Sequence, residues 1–301
     1  MFGVKRARMV VAIGLAVVGA GTLLSGCGHA AKQSSAGKIQ VVTSTDFYGE
    51  VARAVVGNKG TVHSVINQPA TDPHDYEPTP KVAKIVHQAN VVVANGIGYD
   101  RWMDRLVTGK KVTYIRVGND LLNKQNGDNP HLWYRPQTMP TLARALAKQF
   151  SKKQPRNKAY FDKNAARYIQ SLRPINNEIT EIKRLSAKRG QKQVYVSEPV
   201  FDYAIQALGF KVANHGFEEA IENGSDPSPK SIRQMQNGLK KQRVAFFVFN
   251  QQVDSKTVNN LVAIAKQNHV PVLKVTETLP QNLTYKQWML SQYQQLNQIL
   301  K

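Results

Sequence analysis

Residues 155–185 form a polar, amphipathic stretch in which Tyr160, Phe161, Ile169, Leu172, Ile175, Ile179 and Ile182 recur at mixed three- and four-residue spacing. That spacing places the apolar side chains on one face of a helix, so a long helix is expected through the middle of the chain. Pro174 should kink or divide it, because proline lacks a backbone donor and crowds the preceding turn. On either side the pattern changes. Short, β-branched runs at 39–43, 61–66, 90–95 and 112–117 read as strands, with helical patterns such as 47–56 and 80–88 between them and another at 139–152. The same order returns as strands at 193–197, 210–212, 244–249 and 270–275, with helices at 201–208, 230–240, 256–267 and 285–300. Alternating strands and helices imply parallel sheets. The predicted fold class is therefore α/β: two (βα)n domains with parallel sheets, residues 39–153 and 190–301, joined by a linking helix over 154–189. No tandem repeat of the solenoid kind interrupts this scheme.

The first residues follow export-signal order: Lys5, Arg6 and Arg8, an apolar run over 10–24, then Leu24-Ser25-Gly26-Cys27. The run is short for a membrane span, which needs about 20 apolar residues, so residues 1–26 read as a signal peptide. Cys27 is the one cysteine in the chain, which excludes an intramolecular disulfide. Its place after Leu-Ser-Gly resembles a bacterial lipobox, with Cys27 lipidated and residues 27–38 a flexible tether. An extracytoplasmic, membrane-anchored monomer is expected. The formal charge of +21 raises the question of nucleic acid. Here the lysines are dispersed along amphipathic helices and no basic platform interleaved with aromatics is present, so an anionic cell envelope fits better than nucleic acid.

Ligand sites in open parallel sheets form outside the carboxyl ends of the strands. His74, in "TDPHDYEPTP", follows the second expected strand, and His131, in "NPHLWY", follows the fourth. Glu198, in "VSEPVFDY", and Glu277, in "VTETLP", directly follow strands of the second half. A cleft between halves would unite two imidazoles with two carboxylates, a set suited to a divalent metal. Taken singly, each has a plainer role: His74 as a surface loop histidine, His131 as a helix cap, Glu198 and Glu277 as acids at helix N-termini. Asp46 and Asn95 end strands and are candidates for orienting the ligands, with capping or turn formation as the alternative. Asp75 and Glu77 flank His74 as local negative charge or as solvent-facing turn acids. Trp102, Trp133 and Trp288 read as packing residues. His63, His215 and His269 are read as surface or structural.

Together, "DPHDYEPTP", "NPHLWY", "SEPVFDYAIQALGF", "DPSPKSI" and "VTETLP" resemble, in order, the motifs of the zinc- and manganese-binding solute-binding lipoproteins of bacterial ABC importers. The resemblance covers residues 38–301. It implies a receptor that captures a divalent metal in an interdomain cleft and delivers it to a membrane permease with its ATPase, with no organic cofactor. By position, His74 and His131 take the places of the family's ligand histidines. Glu198 stands where zinc receptors commonly carry histidine and manganese receptors glutamate, and Glu277 where aspartate is usual. The oxygen donors favour Mn²⁺, with Zn²⁺ next; Zn²⁺ nevertheless outranks Mn²⁺ in raw affinity for such donors. The histidine-rich loop of some zinc receptors has no counterpart, since only His87 lies between His74 and His131. A metal-dependent hydrolase is disfavoured by the lack of HExxH, GxSxG or a further acid cluster. A surface adhesin remains compatible with export and a basic surface, and a chelate or haem receptor would need a larger, more aromatic site.

Overall fold

The computed structural model describes residues 37–301. The expected signal peptide, Cys27 and nearly all of the tether lie outside the described residues. The first lobe comprises β1 (Ile39–Thr45), α1 (Asp46–Val56), β2 (Gly60–Ile66), α2 (Pro80–Gln88), β3 (Val91–Ala94), α3 (Arg101–Val107), β4 (Thr113–Arg116) and α4 (Thr138–Lys153). Its strands run parallel in the order β2-β1-β3-β4. All of β3, Val-Val-Val-Ala, is buried, as expected of a central strand covered by helices on both faces.

The chain then crosses through α5 (Lys158–Ser171) and α6 (Arg173–Ala187). The expected linking helix is thus divided at Leu172, and Pro174 falls in the first turn of α6. A proline is tolerated there because the first-turn N–H groups have no intrahelical acceptor.

The second lobe contains β5 (Gln193–Val196), α7 (Asp202–Ala207), β6 (Lys211–Val212), α8 (His215–Glu222), α9 (Pro229–Lys240), β7 (Phe247–Asn250), α10 (Lys256–Gln267), β8 (Val272–Val275) and α11 (Tyr285–Leu300). Its parallel order, β6-β5-β7-β8, repeats that of the first sheet. Strands β5 to β8 therefore correspond in position to β1 to β4. In both sheets the connections leave in opposite directions from the central pair, which creates a crevice at the carboxyl ends of the strands.

One apolar core runs through both lobes. Phe47 of α1 lies 4.7 Å from Trp133, centroid to centroid, and Tyr134 lies 5.7 Å from Trp288 of α11. Trp102, Trp133 and Trp288 are all buried, as their packing role requires. Helix α11 starts with a capping box formed by Thr284 and Gln287, which satisfies N–H groups that would otherwise lack acceptors. Its contacts with α6, and those of Trp288 with Phe47, tie the end of the chain to both halves.

Candidate metal centre

His74 lies in the segment between β2 and α2, and that segment is fastened at several points. Its backbone N–H donates to Asp72 Oδ1 at 2.8 Å, and Trp102 Nε1–H donates to the Pro73 carbonyl at 3.3 Å. From the other lobe, Gln252 Nε2 and Thr278 Oγ1 donate to the Pro69 carbonyl at 2.7 and 2.8 Å. Prolines limit the freedom of the unfolded loop, and these bonds hold the folded one. The imidazole is consequently presented to the crevice with its edge against Tyr99, at a centroid separation of 4.6 Å.

His131 follows β4 and is fully buried. Asn129 Oδ1 accepts both its backbone N–H and its ring Nδ1–H, each at 2.9 Å. A proton on Nδ1 leaves the lone pair on Nε2, the form that ligates a metal. The Asn129 amide also donates to the Pro199 carbonyl in the second lobe at 2.7 Å. Asn95 supports the same loop: its Nδ2 donates to the Pro130 carbonyl at 3.0 Å, while Tyr48 O–H donates to its Oδ1 at 2.6 Å. Asp46 is placed differently. It opens α1 beside Glu50 and Arg53, and burial pushes its carboxyl up to about 6.

Two carboxylates meet these imidazoles. Glu277, two residues beyond β8, places Oε1 4.0 Å from His74 Nε2 and 3.8 Å from His131 Nε2. Glu222, the last residue of α8, places Oε1 at 3.6 and 3.7 Å from the same two nitrogens. An ion bound at about 2.1 Å by four tetrahedral ligands separates neighbouring donor atoms by roughly 3.4 Å, close to these distances. His131 Nε2 and Glu222 Oε1 are both buried without a hydrogen-bond partner, a costly arrangement unless something else satisfies them.

Glu198 occupies a neighbouring place. Its Oε2 accepts from Asn250 Nδ2 at 2.7 Å. It lies just beyond β5, whose counterpart is β1, so its positional equivalent is Asp46. The counterpart of His74 is instead Glu222, reached from β6 through α8, and the counterpart of His131 is Glu277. The sequence expectation grouped Glu198 and Glu277 with the two histidines, whereas the repeated topology pairs His74 with Glu222 and His131 with Glu277. Sequence reasoning does not reach Glu222, because β6 is only two residues long and the helical pattern of α8 is brief. The signal that could have found it is the parallel between the segment after β2, which carries His74, and the segment after β6.

Burial sets the charge states. It lowers the ionisation of His74 and takes that of His131 well below the ordinary imidazole value, with the neighbouring His74 adding to the latter effect. Burial, then the charges of Glu277 and Glu198, raises Glu222 to about 8. Burial raises Glu277 to about 7, opposed by a hydrogen bond from Tyr99. Burial also raises Glu198, although the bond from Asn250 counters it. Neutral imidazoles and proton-holding carboxyls crowded together are suited to a cation that replaces protons.

The family model described as zinc-uptake complex component A, periplasmic, matches residues 41–299. The chain belongs to this family. Members of the zinc-uptake component A family are solute-binding proteins of metal transport and not enzymes. The chain is 26% identical over 288 residues to the manganese ABC transporter substrate-binding lipoprotein PsaA of Streptococcus pneumoniae, covering 89% of this chain and 88% of that protein. It is 25% identical over 264 residues to the metal ABC transporter substrate-binding lipoprotein FimA of Streptococcus parasanguinis, covering 83% of each. Similar solved folds include a Mn-bound periplasmic metal binding protein of Candidatus Liberibacter asiaticus, with TM-score 0.70, 18% identity and coverage of 88% and 100%. Another is the periplasmic zinc binding protein TroA of Treponema pallidum, with TM-score 0.70, 16% identity and coverage of 88% and 99%. Among the described residues of this family member, no helix is long and apolar enough to cross a membrane.

Proposed function

We propose that the chain captures one divalent transition-metal ion between its lobes and delivers it to the permease and ATPase of an ABC importer, acting as a lipid-anchored extracytoplasmic monomer. The observation that carries this reading is the convergence of His74 and His131 Nε2 on the carboxylates of Glu222 and Glu277, with every nitrogen-to-oxygen separation between 3.6 and 4.0 Å. His74, His131 and Glu222, whose donor atoms lie within 4.8 Å of one another, supply three donors. The fourth is Glu277, 4.0 and 3.8 Å from the two imidazole nitrogens, while Glu198, the acid suggested by the family motif, stands beside them as a further carboxylate. Two nitrogen and two oxygen donors favour Mn²⁺ as cargo, with Zn²⁺ next and stronger in simple competition. The shared apolar core points to capture by adjustment of loops and small tilts of the lobes rather than by wide closure.

Calorimetric titration of the metal-stripped protein with Mn²⁺ and, separately, Zn²⁺ tests this. Both ions should occupy the cleft, and His74→Ala should abolish that event while leaving the circular dichroism spectrum unchanged. A folded wild-type protein that binds neither ion refutes a metal receptor. Uptake competition in cells carrying the importer then decides between the two ions.

A further inference from the structure

A second cluster of metal-ligating side chains lies in the second lobe. Asp202 begins α7, and His215 and Glu218 lie on α8. Donor atoms of these three residues all fall within 4.8 Å of one another. His215 Nδ1 is 2.6 Å from Glu218 Oε1. Glu218 is only 1% exposed, and neither its second oxygen, Oε2, nor Asp202 Oδ1 meets a donor other than a proton shared between the two acids. Burying two acids against each other is costly.

We propose that Asp202, His215 and Glu218 form a second site for a divalent transition-metal cation, independent of the site in the cleft. One imidazole nitrogen and two carboxylates give a mixed N/O donor set of the kind Zn²⁺ and Mn²⁺ accept. The two carboxylate charges neutralise a divalent ion. The ion would replace the proton that Asp202 and Glu218 share. The His215 side chain, 66% exposed, leaves one side of the site open to solvent, so an ion can arrive without opening the fold. Burial and the adjacent acid raise Glu218 to about 9.

The sequence prepares this arrangement. Positions 215, 218 and 222 are spaced by three and four residues and share one face of α8. Two of them serve this cluster and the third reaches the cleft. An ion at the second site would therefore anchor the helix that carries Glu222.

The decisive experiment is equilibrium dialysis of the metal-stripped whole chain against Zn²⁺ alone, with circular dichroism melts to verify folding. The wild type should hold two ions per chain, and the His74→Ala/His131→Ala variant one. Adding His215→Ala should remove that remaining ion. Asp202→Asn with Glu218→Gln in the same background should do likewise. Because the His215 side chain is exposed, its replacement leaves the fold intact even if the buried pair does not tolerate change. The inference is overturned if the His74→Ala/His131→Ala variant takes up no Zn²⁺, or if its ion survives His215→Ala undiminished. Failure of the cleft reading has a different signature: His74→Ala/His131→Ala would then bind as many ions as the wild type.

Discussion

Tyr99 O–H donates to Glu277 Oε1 at 2.9 Å, joining a residue beyond β3 in the first lobe to one beyond β8 in the second. The same tyrosine ring packs nearly perpendicular to that of His74, so one side chain touches a residue from each lobe. In the proposed site its hydroxyl would support Glu277 rather than act as a ligand itself. Removing such support typically costs metal sites ~10- to 100-fold in affinity. Tyr99→Phe should therefore fold normally and weaken Zn²⁺ and Mn²⁺ binding by about tenfold or more. Unchanged calorimetric affinity would show that the bond across the cleft does not position Glu277.

The two neighbouring acids should differ in importance. Glu222 approaches both histidines within 3.7 Å, whereas Glu198 is held by Asn250. Glu222→Gln is expected to cost roughly 100-fold in Zn²⁺ affinity, and Glu198→Gln nearer tenfold. The reverse order, measured in one competition assay with a chromogenic chelator, would assign the fourth ligand to Glu198.

Capture of the ion in the cleft should expel protons. With Glu222 raised to about 8 and Glu277 to about 7, the metal-free cleft at pH 7 holds protons that a cation must displace. Roughly one to two should be released per ion. Calorimetry in buffers of different ionisation enthalpy measures the number directly, and affinity should rise between pH 6 and 8. A heat of binding independent of buffer would contradict the protonated carboxyls.

Stability of the metal-free protein should have the opposite pH dependence. Burial raises Glu222 to about 8, Glu277 to about 7 and Glu218 to about 9, against about 4.3 in an unfolded chain. The folded state thus binds more protons through that interval, and its stability falls as pH increases. The buried histidines act on the acid side: their lowered folded values make neutral imidazole stabilising above about 6.5, and that contribution is lost as pH falls. The Tm of the stripped protein should decline from pH 6.5 to pH 9, and added Zn²⁺ should reduce the decline. A metal-free Tm that climbs over this range would refute the assignment.

Trp288 offers a test of the core shared by the lobes. It is 1% exposed, packs beside Phe47 and Tyr134, and donates from Nε1 to Thr276 Oγ1 at 2.8 Å. Trp288→Ala should cost ~3–5 kcal/mol from the lost burial and the cavity left behind. Denaturant titration would detect this as a large fall in midpoint. A loss below about 1 kcal/mol would mean that the site collapses around the cavity.

Periodicity and strand endings in the sequence were enough to determine two parallel α/β halves, the central helical crossing and its break near Pro174. They also placed His74, His131, Glu198 and Glu277 at the carboxyl ends of the strands, because a residue just beyond a strand in such a sheet has little choice about which end it occupies. Asn95 was legible in the same way. Tertiary structure decided what depends on spatial neighbours. Glu222 enters the cleft only because a two-residue strand, β6, leads into α8 and that helix ends beside the histidines. Asp46 follows a strand as Asn95 does, yet lies beside Glu50 and Arg53, a distinction that its place after a strand does not contain. Likewise, His215 carries no sign of a partner in its immediate sequence except the helical spacing to Glu218; Asp202 joins them only when α7 and α8 pack together. Local order depends on backbone preference and apolar period, which are written along the chain. A ligand set depends on which side chains three-dimensional packing brings within a few ångströms, and separate elements acquire that proximity only in the folded molecule.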